Sequence, residues 1–365
     1  MKNTFGSSVT VTLFGESHGE AIGAVLDGIC PGILVDNDFI SAQLSKRRPN
    51  KKTDTQRQEK DEYSIVSGVF NGKTTGTPLC VIIKNEDTRS KDYEKTRKIA
   101  RPSHADYAAY CKYHGFEDYR GGGHFSGRIT APLVALGAIA IKALESLGIK
   151  IGTHILECHG VKDKEFSIPE HEIDLIKDKS FPTISDCSDS MIKEIENAKN
   201  ALDSVGGILE TAICGMPSGV GEPWFDSVES VLSHALFSIG GIKGIEFGKG
   251  FALTKMYGSE ANDAFFIKDG KIETKTNNNG GINGGITNGM PIIIKCAVKP
   301  TPSIAKEQES VDFVKNEEAT IKIEGRHDPA IIRRAAVVVD SVCALALVDM
   351  LSQRYGTDVF TKGIK

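Results

Sequence analysis

The chain has 365 residues, 40% hydrophobic and 25% charged, and its 44 Lys and Arg against 48 Asp and Glu leave a net charge of −4. That length can bury a large core, and so weak a net charge excludes a whole-protein field aimed at nucleic acid. The eight cysteines are scattered without a CxxC pair, Lys2 is followed by mixed polar residues, and no uncharged apolar run approaches membrane-spanning length; these predict reduced thiols in a cytoplasmic protein with no signal segment and no membrane partner.

In chain order, strands are predicted over 9–14, 21–26, 65–70, 79–84, 208–214 and 292–298, and helices over 38–44, 131–147, 191–205, 227–237 and 329–351. Between the first two strands lies Gly15-Glu16-Ser17-His18-Gly19. The basic stretch Lys46, Arg47, Arg48, Lys51, Lys52, Arg57 and Lys60 follows the first helix, and a solvated face is the bland reading of it. His104 sits in Arg101-Pro102-Ser103-His104-Ala105-Asp106. Next comes Tyr119-Arg120-Gly121-Gly122-Gly123-His124-Phe125-Ser126-Gly127-Arg128. A tripled glycine needs a reason, and a flat or anionic ligand against bare N–H groups before a helix start is the reading its neighbours favour. Thr130 is the predicted N-cap and Gly148 the stop. Ile192, Ile195, Ala198, Leu202 and Val205 form a helical stripe ended by Gly206-Gly207,. The run 277–289, NNNGGINGGITNG, precedes a strong strand, and Lys299-Pro300-Thr301-Pro302-Ser303 follows it with a cation and hydroxyls. His327 and Asp328 lie in Gly325-Arg326-His327-Asp328-Pro329, where Asp328 reads as an N-cap with Pro329 at the first helical position. Segment 313–324 is charged and ambiguous. Strands and helices are interspersed without a βαβ cadence, so a single α+β domain over 1–365, with layered sheets, is favoured over a doubly wound sheet.

A histidine alone is more often a structural hydrogen-bonder than a catalyst. Three in polar, glycine-flanked settings, with Asp328, are nonetheless candidate proton carriers. No pair among His18, His104 and His327 has metal-ligand spacing, a Walker loop is absent, and Ser126 stands where a G-x-G-x-x-G match needs its last glycine. Gly15, Ser17 and Gly19 match G-x-S-x-G, yet a nucleophile elbow needs a following helix and a strand is predicted there. From residues alone the chain is an enzyme that binds a polyanion with arginines, has glycine loops fit for a flat cofactor, and moves protons with histidines and a carboxylate.

Phe14-Gly-Glu-Ser-His-Gly19, Arg47-Arg48-Pro49, Arg101-Pro-Ser-His-Ala-Asp-Tyr107, Tyr119-Arg-Gly-Gly-Gly123 and Gly325-Arg-His-Asp-Pro329 occur in the order found in chorismate synthases. The resemblance runs from Phe5 to beyond Asp349. It implies a β-α-β sandwich, a homotetramer, and 1,4-anti elimination of phosphate from 5-enolpyruvylshikimate 3-phosphate, using reduced FMN without net redox change, as the last step of the shikimate pathway. Matched position by position, it implies that Arg47, Arg48, Arg101, Arg128 and Arg326 hold the substrate and that His18 acts as general acid on the leaving phosphate. It further implies that His104 lies by the flavin pyrimidine and Asp328 near flavin N5. Flavin contacts would fall on His124, Phe125, Ser126, Gly240, Gly241, Gly284, Lys299, Pro300, Thr301, Pro302, Ser303 and Arg326. The chain departs from the common family pattern at His124-Phe125, where Arg-Ser is usual, and at Gly240-Gly241, where Asn-Ala is common. No nicotinamide motif is present, so an external flavin reductant is expected rather than reduction by the chain with NADPH. Two rivals are a flavoprotein oxidoreductase that consumes reducing equivalents and a non-enzymatic phosphate- or nucleotide-binding protein.

Overall fold

The computed structural model describes residues 2–49, 60–86, 97–323 and 328–364. Strand Leu79–Lys84 points Leu79, Val81 and Ile83 into the core and alternates them with half-buried neighbours, the period-two pattern of a sheet with one buried face. It pairs with Ala21–Asp27 on one side and Tyr63–Ser67 on the other, and Thr10–Gly15 and Thr4–Phe5 complete a five-stranded antiparallel sheet. A second five-stranded antiparallel sheet runs Ile242–Phe247, Ile292–Val298, Gly207–Cys214, Lys150–Cys158, Val161–Lys162.

Helices Thr130–Glu145 and Ile332–Tyr355 fill the space between the sheets. The first packs on Ala21–Asp27, Leu79–Lys84 and Lys150–Cys158; the second packs on Lys150–Cys158 and Gly207–Cys214. They cross where Gly137 meets Ser341, so closely that a Cβ on Gly137 would lie 2.7 Å from Ser341 Cα. Helix Asn37–Arg47 packs against both. The result is the expected α+β sandwich, and antiparallel pairing in both sheets rules out a doubly wound arrangement. Against the expectation from apolar runs, Gly127–Glu145 and Ile332–Tyr355 are long and apolar enough to cross a membrane; 78% and 94% of their apolar windows are buried inside the protein, which is where a sandwich core needs such helices.

Most predicted elements are present with shifted ends. The 65–70 segment is two strands, Tyr63–Ser67 and Val69–Phe70, broken at Gly68 with φ +85°. The ambiguous 313–324 segment supplies half of a hairpin, Glu307–Asp312 with Glu317–Lys322. Strand Lys150–Cys158 was not predicted, because both of its faces are covered and its burial is nearly continuous,. Thr153 bonds Asp340 of the inner helix (2.6 Å), while the next residue, His154, stacks edge-on to Phe166 at 4.7 Å. Helices Asp106–Tyr113 and Pro169–Ile176 were also unforeseen; eight residues each give too short a period to read.

Two caps are corrected. Thr130 is the first residue of its helix and Ile129 precedes it without a side-chain bond; Ser126 does the capping, accepting from Arg128 N–H at the start of the 3-10 turn Gly127–Ile129. The long helix begins at Ile332, so Asp328 is not its N-cap. No cysteine is in a disulfide; five are buried, Cys80 and Cys187 are half-buried, and Cys111 is exposed. Burial pushes the Cys158 thiol up to about 11 and the Cys214 and Cys296 thiols up to about 12.

Candidate active site

Loops from both sheets meet at a cavity of about 950 Å³. The turns 124–130 and 103–105 line it, together with 237–243 after helix Val228–Leu236, the Lys299–Ser303 segment after strand Ile292–Val298, and Asp328 with Arg334. Helix Asn37–Arg47 contributes Arg47 from its last turn. Of the residues expected in a site, the structure brings His104, Asp328, Arg47, Arg128, His124, Phe125, Ser126, Gly240, Gly241 and the whole Lys299-Pro300-Thr301-Pro302-Ser303 run to this cavity. Gly284, at the turn between Ile282–Asn283 and Ile286–Thr287, is not among its lining residues. Arg326, His327, Lys51, Lys52 and Arg57 lie outside the described residues.

The triple glycine packs closely against the chain's own side chains. Its residues take φ of +58°, +86° and +51°, where a side chain is strained,. A Cβ on Gly121 would collide with the His18 ring, and one on Gly122 would lie 3.4 Å from His104 Cε1. The bare backbone at Gly121 therefore makes room for the His18 ring, whereas a Cβ on Gly122 would only touch His104. His18 is buried beneath this turn, off the cavity lining, with Nδ1 3.1 Å from Ser17 Oγ. Ser17 N–H donates to Gly123 O (3.2 Å), and His124 Nδ1 donates to Gly15 O (2.8 Å), which fastens the glycine turn to the end of strand Thr10–Gly15.

His104 is oriented by Asp106. The carboxylate Oδ1 lies 2.9 Å from His104 Nδ1, and Arg101 donates to it through Nη2 (2.6 Å) and to Oδ2 through Nε (2.8 Å). Burial works against the Asp106 charge, but hydrogen bonds from Arg101 and His104 prevail and hold its carboxyl well below the usual range,. An ionised Asp106 accepts the Nδ1 proton and leaves Nε2 as the exchangeable atom. Arg101 is committed to this pair and is not a lining residue.

Arg47 and Arg128 share a buried carboxylate, Asp61: Arg47 Nη2 lies 2.8 Å from Oδ2, and Arg128 Nη1 pairs with Oδ1. Arg128 Nε also donates to Asn85 Oδ1 (3.2 Å). Burial lowers Arg47 to about 10 against the opposing pull of Asp61. For Asp61, burial raises the carboxyl and the two guanidinium charges more than reverse it. Arg48 donates to Lys60 O from outside the cavity. Lys299 Nζ donates to Ser103 O (2.7 Å), tying the His104 loop to the second sheet; burial and the neighbouring Lys243 lower its pKa.

Asp61, Lys243 and Arg334, which line the cavity, and Asp106, which orients His104, were missed as site residues. Asp106 was legible, two residues beyond His104 in the same motif. Asp61 has no such signal, since its partners Arg47 and Arg128 are 14 and 67 residues away. Among the described residues no cluster of three His, Cys, Asp or Glu side chains could hold a metal ion.

The comparisons with known proteins decide the family. The sequence model of the chorismate synthase family matches residues 9–352. The chain belongs to the chorismate synthase family. It is 45% identical over 350 residues to the chorismate synthase of Methanocella arvoryzae, covering 96% of this chain and 94% of that protein. The Thermococcus kodakarensis chorismate synthase is 44% identical over 96% of this chain and 97% of its own length, and that of Chitinophaga pinensis is 46% identical over 98% and 99%. A solved chorismate synthase crystal structure superposes with a TM-score of 0.75 at 29% identity, over 96% of this chain and 94% of that one. Membership in the chorismate synthase family makes the chain a carbon–oxygen lyase of the last step of the shikimate pathway.

Proposed function

We propose that the chain, acting as one domain over 1–365, converts 5-enolpyruvylshikimate 3-phosphate to chorismate by 1,4-anti elimination of phosphate and a ring hydrogen, with reduced FMN bound and no net redox change. The observation that carries this reading is the convergence of two oriented proton carriers, His104 on Asp106 and Asp328 on Arg334, with buried arginines at one cavity. The residues present fit a flavin and an anionic substrate together. Thr301 Oγ1 and Arg47 Nε are buried without a hydrogen-bond partner among the described residues, and both residues line the cavity. Its volume suits two ligands, and Lys243 and Lys299 add positive charge.

Arg47 and Arg128 hold the substrate's anionic groups by their planar forks, with Arg48, Arg101 and Arg326 supporting them. His18 gives a proton to the leaving phosphate as general acid. His104 presents Nε2 to the flavin pyrimidine, its Nδ1–H fixed on Asp106. Lys299, Pro300, Thr301, Pro302 and Ser303, with Gly240, Gly241, His124, Phe125, Ser126 and Arg326, would seat the cofactor, while Gly284 stands off this cavity. Bound reduced FMN supplies transient electron density as phosphate departs. Asp328 takes up the proton that derives from the ring. The apolar lining from Leu133, Val338 and Val342 excludes water,. The working state is a homotetramer in the cytoplasm, fed by an external flavin reductant.

The test is anaerobic mixing of the pure chain with substrate and dithionite-reduced FMN. Phosphate and diene absorbance should rise together, and oxidised FMN should give neither. NADPH with oxidised FMN and the chain alone should yield no product; turnover there would show that the chain reduces its own flavin. A mere phosphate binder would show no diene at all.

A further inference from the structure

Helix Asn37–Arg47 ends at the cavity, and its last carbonyls have no partner within the helix. Side chains from the opening of the long C-terminal helix meet them. Arg333 donates through Nη1 to Lys46 O (3.1 Å) and through Nη2 to Arg48 O (2.6 Å). Arg334 donates through Nε to Arg47 O (2.8 Å), and its Nη1 pairs with Asp328 Oδ2. Cations at the negative end of a helix are favourable in themselves, but Arg334 does more. One planar guanidinium fixes the backbone of Arg47, the residue whose side chain reaches Asp61 and the cavity, and fixes the carboxylate of Asp328 as well. The side chains of Arg334 and Asp328 are only 18% and 14% exposed, so water screens the pair little,.

We propose that Arg334 is a positioning residue that registers the Asp328 carboxylate against the Arg47 end of helix Asn37–Arg47. This rests on the elimination reading above, in which Asp328 handles the proton and Arg47 holds the substrate. A lysine at 334 would supply charge without a fork and could meet only one of the two partners.

The experiment compares wild type with Arg334→Lys, Arg334→Gln, Asp328→Asn and the double variant Arg334→Gln/Asp328→Asn. Melting temperature and calorimetric binding of substrate to the flavin-free protein are read first. Then kcat is measured with substrate carrying hydrogen or deuterium at the ring position that is lost. Misplacing a reacting group by about 1 Å costs on the order of 10²-fold. Both Arg334 variants should therefore lose about 10²-fold in kcat with a raised isotope effect, while substrate affinity changes less than about threefold by the same argument. In the Asp328→Asn background, Arg334→Gln should add nothing further. Affinity falling in step with kcat/KM at an unchanged isotope effect would make Arg334 a direct substrate ligand and overturn the proposal. Multiplicative losses in the double variant would overturn it too. If wild type forms no product, the reaction reading fails by itself; positioning is then read from carboxyl carbon NMR of Asp328 in the flavin-free protein. Removal of the guanidinium should move that titration to higher pH, and an unmoved titration would end the proposal.

Discussion

Gly121 lies against the His18 ring with φ +58°, so two penalties meet at one residue. Gly121→Ala places a methyl into His18 and forces a side chain into the left-handed region, which alone costs about 1–2 kcal/mol. The expected outcome is a loss of turnover larger than the loss of stability, since the group displaced is the proposed acid; equal activity in an anaerobic assay would remove His18 from the chemistry. Asp61→Asn acts differently. It leaves Arg47 and Arg128 buried without their shared charge, and breaking such a buried set costs about 3–5 kcal/mol, to be read as a lowered urea midpoint; an unchanged midpoint would mean that water already reaches the pair. Asp328→Asn removes the ion pair with Arg334 but not the N-cap of helix Ile332–Tyr355, which is Ile331, so turnover should fall severely while the melting temperature changes far less. At this scale the sequence was legible where partners are close: His104, Asp106 and Arg101 share one motif. It was silent where they are distant, as for Gly121 against His18 or Asp61 against Arg128, because contacts across about a hundred residues leave no local pattern.

Strand Lys150–Cys158 and the crossing of the two central helices show what governs the elements. His154 faces Glu210 across the sheet, Nε2 to Oε2 at 2.9 Å, and lies 3.2 Å from Asp163 on its other side. Burial alone would lower His154, but its hydrogen bonds to the Asp163 and Glu210 carboxylates outweigh it and raise the imidazole above its ordinary value. A raised histidine contributes stability that is fully present below the unfolded value of about 6.5 and is lost as pH rises through the folded one. Asp163 is held well below its usual range despite burial, so its contribution is lost only in acid. The stability gap between wild type and His154→Gln should therefore be widest near pH 5–6 and shrink toward pH 9; a gap that grows with pH would show that His154 is neutral. Such polar, doubly covered strands defeat an alternation search, whereas Leu79–Lys84 and Ile292–Val298, with their regular apolar alternation, were found with correct ends. The contact at Gly137 gives a second element-scale test. Alanine gains about 1 kcal/mol of helix propensity, but its methyl would strike Ser341, and overpacking costs about 1–3 kcal/mol. Gly137→Ala should lower the melting temperature, and a rise would mean the helices can part freely.

The described residues form two five-stranded antiparallel sheets held apart by buried helices, beside four two-stranded ones, with a cavity where loops of both large sheets converge. Neither sheet carries the site alone: Arg47 and Arg128 come with the first sheet's side and Lys299 to Ser303 with the second's. The layered α+β class was legible from the interspersed, non-βαβ order of elements, and the motif order pointed to the family. How the motifs meet was not legible, because that depends on the long helix Ile332–Tyr355 bringing Arg334 and Asp328 back to a helix end near residue 47. Asp349 of the same helix also gathers the N–H groups of Ser7, Ser8 and Val9, drawing the chain's beginning onto its end. The proposed reaction is elimination without consumption of the flavin's electrons. The most direct test is to supply the chain anaerobically with a small amount of reduced FMN and a large excess of substrate, and to count chorismate formed per flavin while recording the flavin spectrum. Many products per flavin, with the cofactor still reduced at the end, are expected; one product per flavin, matched by its oxidation, would contradict a redox-neutral elimination.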